Sequence, residues 1–318
     1  MIRKKTVLVV GAGGSCSYDF PSGAGLLWDA RSTSVQTLRE ITRNYYPDRI
    51  VGEFLAALTE CESDSLDNLL EFRADADHIA RLYMASRILR AEDNARRAFK
   101  DQSDWLGYLF QKMDARCSSI TDFGQNAVTF VTYNYDRLIE HRISQGLRAR
   151  YRHTDSQVEE NIEQFWVNHP VLHLHGSTGE FGRKIIPYGA RTSDRENIED
   201  AIANVIERAS NGIQVVHQVD GNSTAFQAAR KALSEAERVV FLGFSFGETN
   251  VDRLDLSAIA ANATCICSRK GMTDAEVRLM IEEPFKRSNV KHERKFGGTN
   301  DDCRATLREY VDLLFERY

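Results

Sequence analysis

The sequence has no C-x-x-C pair, only five prolines and no long apolar run. Its six cysteines are scattered, and the nearest two, Cys265 and Cys267, are one residue apart. A structural zinc ribbon requires paired ligands, so we predict no metal site and interpret the cysteines as buried free thiols. The longest apolar runs, such as Val7–Val10 and Val239–Leu242, are far shorter than the roughly 20 residues that cross a bilayer. No membrane association is predicted.

An excess of positive charge is also missing, since 41 Lys and Arg face 46 Asp and Glu, a net charge of −5. This balance opposes a phosphate-neutralising surface, so we expect no direct nucleic-acid binding. The basic start of the chain runs straight into a short apolar segment and lacks the longer apolar stretch of a signal peptide, so we expect a cytoplasmic protein. The length of 318 residues allows one large domain or two ordinary ones.

Short β-branched or aromatic segments alternate with longer helical ones. Several of the short segments are apolar throughout, which is typical of parallel strands covered on both faces. The sequence therefore predicts an α/β fold: a Rossmann-like parallel sheet of about six strands with helices on both faces and no zinc ribbon. The predicted strands are Thr6–Val10, Ala127–Thr132, Val171–His175, Ile213–Val216, Arg238–Gly243 and Ala263–Ser268.

The segment from Val35 to Ser119 has only helical patterning, with Asp64 or Ser65 as a candidate helix cap. We interpret it as a helical insertion in a nucleotide-binding domain. The predicted division is 1–35 for the first part of that domain, 36–121 for the helical insertion and 122–318 for the second part. The irregular segment Ser177–Arg195 is predicted to be a loop near a site.

A glycine-rich turn follows the first predicted strand, with the sequence Gly11-Ala12-Gly13-Gly14-Ser15. Glycines let a backbone approach a diphosphate, and free N–H groups at a helix start favour anions. Cys16 stands where the third glycine of a dinucleotide fingerprint belongs, and no acidic strand end follows about 20 residues later, which argues against an ordinary nicotinamide dehydrogenase. A tight turn that binds no ligand is the alternative.

Polar residues follow three other predicted strands. Thr132 precedes Asn134 and Asp136, which offer amide and carboxylate groups or merely cap the next helix. His175 precedes a glycine and can act as a general base, although a buried structural histidine is equally compatible. In the third segment, Gly243 permits close approach of a ligand, and Ser245, Thr249 and Asn250 could bind ribose hydroxyls; a plain turn into a helix is the alternative.

In this order, the motifs resemble the sirtuin superfamily: Gly11-Ala12-Gly13-Gly14-Ser15, Thr132-Tyr133-Asn134-Tyr135-Asp136, His175-Gly176 and Gly243-Phe244-Ser245. Sirtuin deacylases carry Pro-Asp-Phe-Arg after the glycine-rich turn and a four-cysteine zinc module. This chain instead has Tyr18-Asp19-Phe20-Pro21-Ser22-Gly23 and the helical insertion. In these features the chain resembles the sirtuin-like NAD⁺ hydrolases of bacterial anti-phage defence systems.

The resemblance implies that NAD⁺ is a substrate and that no metal is used. It implies that Asn134 holds the nicotinamide ribose and orients water, that Asp136 binds the carboxamide and that His175 is the base. The residues implied in binding the rest of the dinucleotide are Gly11, Ala12, Gly13, Ser15, Thr132, Gly243, Ser245 and Asn250.

We therefore expect an NAD⁺ glycohydrolase that yields ADP-ribose and nicotinamide and depletes NAD⁺ in anti-phage defence. Because uncontrolled activity would kill the cell, we expect control by homo-oligomerisation or by a separate activating protein, such as an ATPase or an Argonaute-like protein. Two alternatives remain: a protein deacylase or ADP-ribosyltransferase, and a non-catalytic sensor of NAD⁺ or ADP-ribose.

Overall fold

A computed structural model describes residues 1–42, 45–60, 62–63, 65–97, 103–179, 188, 198–215, 219–288 and 292–315. Six parallel strands in these ranges form one sheet: β1 (Thr6–Val10), β2 (Val128–Thr132), β3 (Leu172–His173), β4 (Arg238–Leu242), β5 (Thr264–Cys267) and β6 (Glu293–Phe296). Their order across the sheet is β3-β2-β1-β4-β5-β6. This order is that of a Rossmann sheet, so the predicted fold class is confirmed.

The helices fall into groups set by the strands that they connect. Between β1 and β2 lie α1 (Ala12–Cys16), α2 (Gly23–Arg31), α3 (Val35–Ile41), α4 (Asp48–Glu60), α5 (Leu66–Phe72), α6 (Asp77–Arg97), α7 (Trp105–Asp114) and α8 (Ile120–Phe123). After β2 come α9 (Leu138–Tyr151) and α10 (Val158–Asn168), and after β3 come α11 (Ile198–Asn211) and α12 (Thr224–Ser234). The remaining α-helices are α13 (Glu248–Leu254), α14 (Asp274–Glu276), α15 (Glu283–Arg287), α16 (Cys303–Glu309) and α17 (Val311–Leu314), and a π-helix (Val277–Glu282) joins α14 to α15.

Serine side chains cap several of these helices at the first turn. Ser22, Ser34 and Ser65 each accept a hydrogen bond from the backbone N–H three residues ahead, at the starts of α2, α3 and α5. Such a bond satisfies one of the N–H groups that a helix start leaves unpaired. The predicted cap at Ser65 is thus confirmed, whereas Asp64 lies outside the described residues.

The sheet separates two hydrophobic cores, as strand alternation requires. Leu8 and Val10 of β1 belong to a core that includes helices α2 to α8, together with α9, α10, α16 and α17. Val7 and Val9 belong to the opposite core, which includes α12, α13 and α15. Helices therefore cover both faces. The helices between β1 and β2 share one continuous core with the sheet and do not stand apart from it.

Three strand predictions differ from the structure. β3 contains only Leu172–His173, although a longer strand, Val171–His175, was predicted. The described residues of the predicted strand 213–216 form no strand, and Ile213 makes one isolated antiparallel bridge to Gly176. Val216 lies outside the described residues. The sequence prediction missed β6, Glu-Arg-Lys-Phe, because this half-buried edge strand carries charged residues instead of an apolar run.

The described cysteines are free thiols, four of them buried and Cys16 exposed. Buried thiols are therefore confirmed at Cys117, Cys265, Cys267 and Cys303 but not at Cys16, and Cys61 lies outside the described residues. Among the residues with described placement, no helix is long and apolar enough to cross a membrane. Most of the predicted loop 177–195 lies outside the described part.

Candidate functional site

The carboxyl ends of the parallel strands meet at one edge of the sheet. The chain runs outward from β1 through β2 to β3, then crosses to β4 on the other side of β1. Ligands of open α/β sheets bind in the crevice where the strand order reverses in this way. The predicted site residues that follow β1, β2 and β4 all lie at this edge.

Two glycine turns pack directly against each other at the reversal point. The Gly11 N–H donates to the Leu242 carbonyl at 3.0 Å, and the Gly13 N–H donates to the Gly243 carbonyl at 2.9 Å. A Cβ at Gly11 would lie 2.6 Å from the Gly243 oxygen, and one at Gly243 would lie 2.0 Å from the Gly14 nitrogen. Packing between the turns therefore requires glycine whether or not a ligand binds there.

Asn134 is held rigidly beside the glycine-rich turn. Its Nδ2 donates to the Gly11 carbonyl at 3.1 Å and to Ser15 Oγ at 2.9 Å, and its backbone N–H donates to Thr132 Oγ1 at 3.0 Å. The Gly11 carbonyl can only accept, so it fixes which end of the amide is nitrogen. The structure thus brings together four of the predicted residues: Gly11, Ser15, Thr132 and Asn134.

The Asn134 oxygen is the one side-chain atom of this residue that is left to bind something else. Asn134 is only 8% exposed, and its buried Oδ1 has no hydrogen-bond partner in the described part of the chain. An unsatisfied buried carbonyl costs free energy unless a ligand or water donates to it. The site therefore presents a fixed, preorganised acceptor.

Asp136 is a buried carboxyl group in the same cluster. Its Oδ1 accepts from the N–H of Leu138, the first residue of α9, at 3.1 Å. Burial raises the pKa of Asp136 to about 6, although hydrogen bonds from Leu138 and Ser15 act in the opposite direction. Near neutral pH this carboxyl can therefore accept a hydrogen bond when ionised and donate one when protonated.

His173 was not among the predicted site residues, yet its ring contacts the cluster directly. Nδ1 lies 3.1 Å from the Asn134 carbonyl oxygen, and Nε2 lies 2.8 Å from Glu140 Oε1 on α9. The repeated Leu-His-Leu-His pattern could have indicated it, but a histidine before a strand end carries no signal of its own.

His175 lies in a different environment from His173, because the strand ends before it. Its ring packs edge-on against Tyr133, with the ring centroids 5.2 Å apart, and near Phe226 at 6.3 Å. It is 3% exposed, and its Nε2 has no partner within the described ranges. Burial, with a contribution from Arg253, lowers the pKa of His175 to about 4. The imidazole is therefore neutral at neutral pH, as a base must be.

The other predicted ligands are more widely spread. Ala12 and Gly13 start the five-residue α1, and Ser245 is exposed in the turn after β4. Asn250 lies on α13, where its backbone carbonyl accepts from the Tyr133 hydroxyl at 2.8 Å. Its buried Oδ1 has no partner among the residues described.

A cleft of about 750 Å³ lies between α2, α6 and the segment after α1. Its walls include Asp19–Pro21 from the segment after α1, Trp28 from α2, and Arg87, Arg90 and Asn94 from α6. The Phe20 N–H donates to the carbonyl of Ser15, whose hydroxyl contacts Asn134, so this wall is continuous with the Asn134 cluster. The cleft is of ligand-binding size, and its α6 residues carry no recognisable motif.

Comparison with protein families places this geometry in context. Residues 128–270 match the model of the SIR2-like domain. The matched region begins with β2, ends after β5 and contains Asn134, Asp136, His175 and Gly243. It supports a sirtuin-like family and an NAD-related function. No curated protein matches the sequence.

Proposed function

We propose that the protein is an NAD⁺ glycohydrolase that releases nicotinamide and ADP-ribose. The buried Asn134 Oδ1 carries this proposal, because it is a fixed acceptor without a partner in the described part of the chain, at the sheet edge where dinucleotides bind. The SIR2-like match over the same residues supports NAD⁺ as the substrate.

In the proposed reaction the bond between C1′ of the ribose and the nicotinamide nitrogen breaks. Its electron pair neutralises the pyridinium ring, water adds to C1′, and one proton leaves with the solvent. The leaving group is already cationic, so the site mainly has to hold the ribose, position water and stabilise the developing positive charge.

Each residue of the site has a role in this reaction that its chemistry allows. Asn134 Oδ1 accepts a hydrogen bond from the attacking water or from a ribose hydroxyl, since its Nδ2 is already engaged. Asp136 binds the carboxamide, and neutral His175 accepts a proton from the ribose or the water. The turns at Gly11–Ser15 and Gly243–Ser245 hold the diphosphate and the adenosine ribose, and Asn250 adds a buried acceptor.

We further propose that the enzyme acts as a defence effector that is restrained until it oligomerises or binds an activating protein. The reason for this proposal is that unrestrained depletion of NAD⁺ would be lethal to the cell that makes the enzyme. Light scattering and NAD⁺ turnover, measured over a range of protein concentrations, test this part. Full activity of a monomer would contradict it.

The decisive experiment incubates the full chain with NAD⁺ and separates the products by chromatography. Wild type is compared with Asn134→Ala and with Asn134→Asp, which keeps the side-chain shape. Asn161→Ala on α10 is the matched control, because its half-buried amide donates to Asp155, which is not one of the predicted site residues. Circular dichroism confirms that each variant is folded.

Nicotinamide and free ADP-ribose from wild type and Asn161→Ala, with at least a hundredfold loss in both Asn134 variants, would support the proposal. Nicotinamide release that requires an acyl-lysine peptide or a protein acceptor would overturn it in favour of a deacylase or transferase. Binding of NAD⁺ without nicotinamide release in either oligomeric state would indicate a sensor.

A further inference from the structure

The His173 ring lies between two oxygen atoms. One is the main-chain carbonyl of Asn134, 3.1 Å from Nδ1, and the other is Oε1 of Glu140, 2.8 Å from Nε2. A carbonyl oxygen can only accept a hydrogen bond, so Nδ1 must carry a proton. The proton between Nε2 and Glu140 can belong to either of these two groups.

Two arrangements satisfy both contacts. Either the imidazole carries protons on both nitrogens and Glu140 is a carboxylate, or the imidazole is neutral and Glu140 is the protonated partner. The side chains are 13% and 7% exposed, so little water is available to share either charge. An opposite charge at hydrogen-bond distance favours the charged form of each group and strengthens the bond between them, which favours the first arrangement.

The surrounding charges favour the same arrangement. Asp136, from the segment after β2, and Glu140, from α9, are the acidic groups that act on His173. The Tyr188 hydroxyl lies near the carboxyl groups of Asp136 and Glu140. Glu92 is also nearby, but its negative charge is paired with the positive charge of Arg137. Burial alone lowers the pKa of His173, but Glu140, Asn134 and Asp136 together raise it above its ordinary value.

We propose that His173 is an imidazolium that acts as a positioning residue, holding the main chain of Asn134 against α9 so that the Asn134 oxygen keeps its place. The catalytic part of this inference rests on the proposed function, whereas the protonation state does not. Loss of the Nε2 or Nδ1 proton would release one of the two bonds and loosen the residue that presents the acceptor.

Histidine ¹⁵N NMR of the full chain tests the protonation state directly. The His173 signals are identified as those missing from His173→Gln, and His153→Gln at the surface is the matched control. We expect both ring nitrogens of His173 to be protonated at pH 7. A neutral ring with a proton only on Nδ1 would place the remaining proton on Glu140 and overturn the inference, whatever the activity.

The pH dependence of nicotinamide release tests the positioning role. We expect His173→Gln to lower kcat about tenfold or more, the effect of a lost charge-assisted hydrogen bond. Glu140→Gln should shift the alkaline decline of kcat to lower pH, because it removes the carboxylate that retains the proton, whereas His153→Gln should shift nothing. An unmoved alkaline limb in Glu140→Gln would contradict the positioning role. A doubly protonated His173 without nicotinamide release would refute the proposed function alone.

Discussion

Glu92 of α6 and Arg137, the residue after Asp136, form a buried ion pair across the boundary between the long helix and the site. Their side chains are 0% and 1% exposed, and the Arg137 Nη2 to Glu92 Oε2 distance is 2.5 Å. Glu92 Oε1 also accepts from the Arg137 Nε at 3.1 Å and from Thr178 Oγ1 at 3.2 Å. The helical segment therefore anchors the main chain that carries the candidate site.

Removing one member of this pair should destabilise the fold strongly. Glu92→Gln removes the carboxylate charge that faces a buried guanidinium, which costs about 3–5 kcal/mol in the free energy of unfolding. The exposed pair Arg148–Glu159, with side chains 40% and 56% exposed, is the control, and Arg148→Ala should cost about 1 kcal/mol or less. Urea denaturation measures both. Equal losses in the two variants would show that the Glu92–Arg137 pair does not anchor the segment.

Three glycine substitutions separate backbone strain from steric clash. Gly243→Ala meets both, because its φ is +58° and the added Cβ would lie 2.0 Å from the Gly14 nitrogen, so a loss well beyond about 2 kcal/mol is expected. Gly271→Ala has a φ of +78° with nothing within 4 Å, so only strain of about 1–2 kcal/mol applies. Gly52→Ala, inside α4 with nothing within 4 Å, should stabilise by about 0.5–1 kcal/mol. Thermal unfolding ranks the three, and a Gly243→Ala variant as stable as Gly271→Ala would show that the two glycine turns do not pack closely.

Asp136 should make the folded state less stable as pH rises. Its pKa is raised from 3.8 to about 6, so the folded state holds the proton more tightly than the unfolded chain between these values. Asp136→Asn removes this effect and should gain stability relative to wild type from about pH 4 to 6, on the order of 3 kcal/mol in total.

Asp122→Asn is the control of opposite sign for this measurement. Hydrogen bonds from Ser118 lower the pKa of Asp122, so wild type should gain stability over that variant as pH rises. Denaturant titrations at several pH values check both signs. A constant difference between wild type and Asp136→Asn would contradict the burial effect on Asp136.

His175 should make the protein sensitive to acid. Its pKa is lowered from 6.5 to about 4, so the unfolded state binds the proton more tightly and stability falls as pH drops through this window. His175→Gln cannot take up the proton and should lose on the order of 3 kcal/mol less than wild type between about pH 6.5 and 4. The measurement is the pH dependence of the unfolding free energy. Parallel curves for the two proteins would mean that the ring is hydrated in the folded state.

Apolar runs and glycine punctuation predicted much of the fold from sequence. β1, β2, β4 and β5 are recognisable because central parallel strands are buried on both faces and so are mostly apolar. The charged edge strand β6 and the two-residue β3 lack that signature. Within its described residues, the predicted strand at 213–216 makes only one isolated bridge, from Ile213 to Gly176, although Ile213 and Val215 are buried in the core.

The candidate site was only partly predictable from the sequence, because many of its contacts join segments that are far apart in the chain. Local sequence indicates which polar residues follow strand ends, and this identified Asn134, Asp136 and Gly243. It contains no information on pairings across the chain, such as His173 with Glu140 or Glu92 with Arg137, whose partners are 33 and 45 residues apart.

The sequence by itself determined the α/β class, the central strands and the edge of the sheet at which polar groups gather, because hydrophobic period and strand direction are local properties. Only the tertiary structure decided that the Asn134 oxygen is left without a partner among the described residues, that His173 is held between two oxygens while His175 packs against aromatic rings, and that α6 is anchored to the site. Each of these depends on distances between segments far apart in the chain, and burial then sets the charge of the groups that meet there.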